Sequence, residues 1–191
     1  MIKKNILRSP LLWFYIIMLV GIFLLPLFSY KDYSIIKNTT SQLGAQNTPN
    51  AWVMNLPFIG LGLSVIYQGI NKLKRYYFQQ FIILIFGISF ILTGIYRHAP
   101  IDSSLSYNGY HDMLHSFFAT STGFAFTLFA FSLSFIQKIK RQRVLSILIA
   151  IVATILSILM FYLPQLAGIW QRGIFILSFA WFLYIFEQKY N

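Results

Sequence analysis

Six stretches of the chain are almost continuously apolar, near residues 11–29, 51–70, 77–96, 112–136, 144–163 and 170–187. Each has close to the ~20 residues an α-helix needs to cross a hydrocarbon layer of ~30 Å. None shows strict apolar–polar alternation, and all are too long and too evenly apolar to be barrel strands. In lipid, backbone amides must be paired within their own segment, which leaves helices as the solution. The pattern predicts an all-α fold, a polytopic bundle of six transmembrane helices forming one integral membrane domain over residues 1–191. Pro26-Leu27-Phe28-Ser29-Tyr30 offers no small-residue cleavage site, so the first run is expected to stay as a helix and not to be removed as a signal peptide.

Composition agrees with the pattern. The chain is 58% hydrophobic and 10% charged, with a mean hydropathy of +0.68; soluble domains carry about 25% charged residues. No cysteine is present, which excludes disulfides, thiolate catalysis and cysteine-ligated zinc. A formal charge of +11 invites a nucleic-acid reading until its placement is considered. Lys3, Lys4, Arg8, Lys72, Lys74, Arg75, Lys138, Lys140, Arg141, Arg143 and Lys189 fall on one side under alternating topology. Lys31, Lys37, Arg97 and Arg172 fall on the other. The excess of basic residues in short linkers marks the cytoplasmic side, so both termini are predicted to be cytoplasmic. The charge therefore points to anionic membrane lipid at the basic linkers, at about 1 kcal/mol per residue near the leaflet, and not to nucleic acid. An Ile-, Lys-, Phe- and Asn-rich composition suggests a bacterial inner membrane as the location.

The outward segments, near 30–50 and 97–110, are longer and rich in uncharged polar residues. Thr48 is expected to cap a helix that begins at Pro49, with Trp52 at the membrane interface. Asn55, Pro57, Gly60 and Gly62 follow in the second run and permit close packing or a kink.

All three histidines and two of the four acidic residues lie in one of these segments and the helix start after it, RHAPIDSSLSYNGYHDMLH. His111, His115, Ala119 and Thr122 share one narrow helical stripe that is expected to turn inward. Two imidazoles one turn apart can grip a metal ion such as zinc, with Asp102 or His98 as further ligand and a position left for water. Asp112 sits about 100° round the helix and would support a ligand without being one. No glutamate follows the first histidine, which excludes the H-E-x-x-H protease pattern. A metal-free acid–base site and a purely structural cluster are the alternatives. Arg172, beside Gln171, either snorkels to headgroups or reaches inward to a phosphate or to Asp102, and Arg97 has the same choice. Ser41, Asn47 and Asn55 reach the same outer face.

Taken together, Ser41-Gln42-Leu43-Gly44, Asn47 to Trp52, Asp102, His111 with His115, and Gly168-Ile169-Trp170-Gln171-Arg172 resemble the pattern of a bacterial and archaeal membrane family, domain of unknown function 998. The resemblance covers nearly the whole chain, with Ala99-Pro100-Ile101-Asp102 where the family usually has Phe-Pro before the aspartate. That family is similar to a eukaryotic six-helix group of GPI-anchor lipid-remodelling factors and autophagy modulators, which implies lipid-related work at the outer face. The zinc hydrolases and receptors related to alkaline ceramidase are an analogy for His111/His115 alone.

The resulting expectation is an outward-facing polar pocket that binds or modifies a lipid or lipid-linked substrate. In an enzymatic version His111 and His115 hold zinc with Asp102 or His98, Ser41 or a metal-bound water assists attack, and Arg172, Arg97, Gln171, Asn47 and Asn55 contact substrate. In a non-enzymatic version the same pocket binds a lipid headgroup or a membrane partner. A small transporter is disfavoured, because no charged residue lies at mid-helix depth.

Overall fold

The structure, a computed structural model, describes residues 9–188 and Tyr190; Lys3, Lys4, Arg8 and Lys189 lie outside the described residues. Helix α1 is Pro10–Leu24, extended by a 3-10 turn over Leu25–Phe28, and α2 is a single turn, Thr40–Leu43. Long helices follow: α3 (Trp52–Lys72), α4 (Tyr77–Ile95), α5 (Gly109–Ile136), α6 (Lys140–Tyr162) and, after a 3-10 turn at Pro164–Leu166, α7 (Ala167–Phe186). Six helices are long and apolar enough to cross a membrane, as the sequence predicts, and no strand occurs among the described residues.

Boundaries shift where a local group decides them. Helix α5 begins at Gly109 and not 112, because the Asn108 side chain accepts hydrogen bonds from the amides of Tyr110 and His111. The cap expected at Thr48 is not formed. Asn50 adopts φ 57°, which interrupts the helix, and α3 starts at Trp52 after a turn closed by the Ala51 amide on the Thr48 carbonyl.

Consecutive long helices pack in sequence, α3 on α4, α4 on α5, α5 on α6 and α6 on α7, and α1 closes the bundle against α3 and α7. Helices α3 and α4 approach closely at Gly62 and Gly87, where an added Cβ on either would press on the other's carbonyl oxygen. Of the two roles expected for Gly62, close packing is therefore the one realised. The centre is aromatic: Phe58 of α3, Phe86 and Phe90 of α4, Phe126 and Phe129 of α5, and Phe179 and Phe182 of α7 form a continuous tilted and edge-on array. The i, i+3 and i+4 spacing of these residues places them on one face of each helix.

Antiparallel contacts fix which ends meet. Arg172 near the start of α7 reaches Ile22 near the end of α1, and Tyr15 near the start of α1 donates to the Ile176 carbonyl farther along α7. The start of α1 and the end of α7 therefore lie at one end of the bundle, with the basic linkers around Lys74 and Lys140. The segments 29–51, 96–108 and 163–166 lie at the opposite end, the loop end.

Candidate functional site

The loop end is built around a buried cation. Arg172 is 4% exposed, and its guanidinium donates to the carbonyl oxygens of Ile22 (3.2 Å), Ile35 (2.9 Å), Asn38 (3.0 Å) and Gly168 (3.0 Å) and to the Tyr33 hydroxyl (2.7 Å). The Tyr33 ring also faces it, 5.8 Å from the guanidinium carbon. Arg172 neither snorkels nor reaches a carboxylate. It binds the chain of the 29–51 segment to α7 through carbonyl dipoles. Gly168, one turn earlier, donates its amide to the Ile36 carbonyl at 3.0 Å, and a side chain there would collide with the carbonyl oxygens of Ile35, Ile36 and Asn38. Burial pushes the Tyr33 phenol upward, and the Arg172 charge and hydrogen bond oppose that rise.

The remaining polar candidates of this segment are also held by protein. Gln171 accepts from the Thr40 amide (2.7 Å), the Thr40 hydroxyl (2.6 Å) and the Ser41 amide (3.4 Å). Ser41 is itself buried. Thr39 and Gln42 form a reciprocal capping box on α2. Asn55 donates to the Gly44 carbonyl at 2.9 Å, and Asn47 donates to the Ser106 carbonyl at 2.8 Å. Gln46 ties the 29–51 and 96–108 segments together: its amide donates to the His98 carbonyl, its side-chain nitrogen donates to the Arg97 and Asn108 carbonyls, and its side-chain oxygen accepts from the Asn108 amide.

The titratable groups gather beside this scaffold, in a different grouping from the expected one. His115 is 3% exposed, and its Nδ1 lies 3.0 Å from the Thr93 carbonyl and 2.8 Å from the Tyr96 carbonyl. His98 Nδ1 lies 2.8 Å from the Ala99 carbonyl. Carbonyl oxygens only accept, so in each neutral ring the proton is assigned to Nδ1 and the lone pair to Nε2. No hydrogen bond engages either Nε2 among the described residues. The two rings meet edge to face, centroids 5.3 Å apart. Asp112 completes the group: its Oδ1 lies 3.7 Å from His98 Nδ1 and accepts from the Ala99 amide at 2.7 Å. His98 and Asp112 remain about a third exposed, at 32% and 29%.

His111 stands apart, its ring against the edge of Tyr96 at 5.3 Å, so the inward stripe is only partly realised: His115 and Thr122 are buried, while His111 and Ala119 are half-exposed. Asp102 also stands apart. Its carboxylate accepts from the Tyr30 hydroxyl (2.8 Å) and from the hydroxyl (2.6 Å) and amide (2.9 Å) of Ser104. The Ser104 hydroxyl, then its amide, then Tyr30 hold the Asp102 carboxyl below its usual range. The hydrogen bond to Asp102, with burial and the charges of Asp102 and Asp32, pushes the Tyr30 phenol up. Arg97 projects its side chain outward and contributes its carbonyl to Gln46.

An Nδ1–H fixed on a carbonyl with Nε2 left over is how metal-bound histidines are commonly oriented, and His98 and His115 both fit that description. The expected set of His98, Asp102, His111 and His115 does not come together. No group of three or more histidine, aspartate or glutamate side chains close enough to hold a metal ion occurs among the described residues. The described donors there thus lack the third ligand that zinc takes from protein.

Some of this arrangement had a sequence signal and some had none. Thr39-Thr40-Ser41-Gln42 is a readable capping-box pattern. Nothing local marks the distant partners of Gln46, Tyr30, Tyr33 or Thr40, which lie tens of residues away at Arg97 and Asn108, Asp102, Arg172 and Gln171. The angle of Asp112 to His111 predicts a supporting role beside that histidine, whereas the acid is brought to His98 by the course of the 96–108 segment.

No significant match exists among curated proteins or among solved structures. A family model does match, described as protein of unknown function (DUF998), over residues 11–186. The matched region includes all six long helices except Pro10 of α1, the segment bound by Arg172 and the His98–Asp112–His115 group, and the chain belongs to that family.

Proposed function

We propose that this multi-pass membrane protein binds the polar headgroup of a lipid or lipid-linked ligand at its loop end, and that this end faces outward from a bacterial inner membrane. One observation carries the reading. Of the polar residues at that end, Arg172, Gln171, Asn47 and Asn55 are occupied by the protein's own groups, mostly backbone, whereas His98 and Asp112 are partly exposed and adjoin two Nε2 lone pairs with no protein partner among the described residues. A hydroxyl-bearing headgroup suits this set, since Nε2 accepts a hydrogen bond and Asp112 accepts another. The orientation rests on the basic residues at the opposite end.

The test compares lipids retained by the purified parent and by a His98→Ala/Asp112→Asn variant, identified by mass spectrometry against the bulk membrane. Enrichment of a particular polar lipid in the parent, absent from the variant, is expected. The same lipid profile in both would overturn the proposal. Elemental analysis of the same samples separates a hydrolase: a stoichiometric metal in the parent, lost from the variant, would replace headgroup binding with metal-dependent chemistry.

A further inference from the structure

The opposite half of the bundle carries a second feature, independent of the loop end. Between α4 and α5 an open groove of about 620 Å3 is walled by Phe78, Phe81 and Ile85 on one side and Phe124, Leu128 and Phe131 on the other. That volume is within the ~300–1,000 Å3 of small-molecule sites. The groove faces lipid: Phe81 is 62% exposed and Phe124 75%. Its two hydroxyls offer little to a polar ligand, since Ser121 donates to the Phe117 carbonyl and Thr127 pairs with Thr154. An apolar occupant is therefore required along the groove.

What lies at its basic end defines the occupant. The groove runs toward the start of α4 and the end of α5, which meet where Gln79 donates to the Ser132 carbonyl. Lys74 and Arg75 precede α4 by one turn, and Lys140 and Arg141 open α6 after the short linker from α5. All four side chains are exposed, and the acidic residue at this end among the described residues, Glu187 after α7, forms no ion pair with any of them, while Asp102 and Asp112 lie at the other end of α4 and α5. Tyr77, also exposed, stands at the same level, where an aromatic ring favours the membrane interface. A tail-shaped apolar slot with four exposed cations and a net positive charge at its basic end matches one molecule, a lipid with an anionic headgroup.

We propose that the α4–α5 groove is a binding site for an anionic phospholipid of the leaflet at the basic end, one acyl chain lying between Phe81 and Phe124 and the phosphate held by Lys74, Arg75, Lys140 and Arg141. The full-length protein is reconstituted in nanodiscs of phosphatidylcholine containing phosphatidylglycerol, released, and weighed by native mass spectrometry. That reading counts bound lipids and protein copies together. Phosphatidylglycerol is expected to be retained over phosphatidylcholine. Lys74→Gln/Arg75→Gln should weaken that preference by about fivefold per charge removed. Ile85→Trp and Leu128→Trp, each filling the groove from one wall at a lipid-facing position, should abolish retention without altering the fold. Equal retention of both lipids by the parent overturns the proposal. So does a preference that is lost with the charges but unchanged by both tryptophans, which reports diffuse attraction only. A parent released as a dimer that either tryptophan converts to a monomer also overturns it, in favour of a second copy as occupant.

Discussion

The Nδ1 of His115 stands 2.8 Å from the carbonyl oxygen of Tyr96 and 3.0 Å from that of Thr93, so a histidine of α5 terminates α4. The last carbonyls of a helix have no partner within it, and inside a membrane no bulk water can supply one. Replacing His115 with Ala leaves both oxygens without that donor, the Thr93 oxygen in a buried setting, and is expected to destabilise the protein by about 1–3 kcal/mol. His115→Asn, which keeps a short donor, should recover part of that loss. His111→Ala, which removes only a ring contact with Tyr96, should change stability little. Thermal unfolding in detergent tests the contrast; equal losses at the two histidines would contradict this assignment.

Arg172 unites α1, the 29–51 segment and α7 through one planar group. A lysine ammonium cannot present the same fork of donors, so Arg172→Lys is expected to loosen the segment nearly as much as Arg172→Ala. Limited proteolysis should then cleave within residues 29–51 under conditions where the parent resists. Gly168→Ala acts on the same join by steric collision with backbone carbonyls and should give the same cleavage pattern with Arg172 intact.

Stability at the extremes of pH should depend on Tyr30 and Asp102. The Asp102 carboxyl is held below its usual range, so its contribution is present above the ordinary carboxylate value of about 3.9 and is lost as pH falls through the lowered value. Tyr30 is raised, so its contribution is complete below about pH 10 and is lost as pH rises through the raised value. Asp102→Asn should remove this part of the acid limb in a plot of unfolding temperature against pH, and Tyr30→Phe should remove this part of the alkaline limb. An unchanged acid limb in Asp102→Asn would show that the carboxylate is not stabilised by Ser104 and Tyr30.

Asn47 and Asn50 both adopt the left-handed conformation, with φ 58° and 57°, and each also donates a side-chain hydrogen bond, to Ser106 and Phe28 respectively. Asn50→Gly keeps the backbone at ease and loses only an exposed hydrogen bond, whereas Asn50→Ala adds a conformational cost of about 1–2 kcal/mol. Unfolding temperatures in the order parent, Gly, Ala are expected. Ala equal to Gly would show that the backbone conformation costs nothing here.

The spans themselves were readable in the chain. Residues 77–96 became Tyr77–Ile95 and 51–70 became Trp52–Lys72, because the demand that lipid places on a segment is local: continuous apolar side chains and amides paired within the helix. The ends were less readable, since Asn108 and Asn50 decide them through single side chains and backbone angles. The chemistry of the loop end was decided only in three dimensions. Gln171 meets Thr40 across 131 positions and Arg172 meets Tyr33 across 139, and no helical period encodes such a meeting. His111 and His115 share a helix face in sequence, yet one ring lies on Tyr96 and the other is drawn to the end of α4. His98 and Asp112 were brought together by the path of a loop, through hydrogen bonds whose energies depend on distance in space and not along the chain.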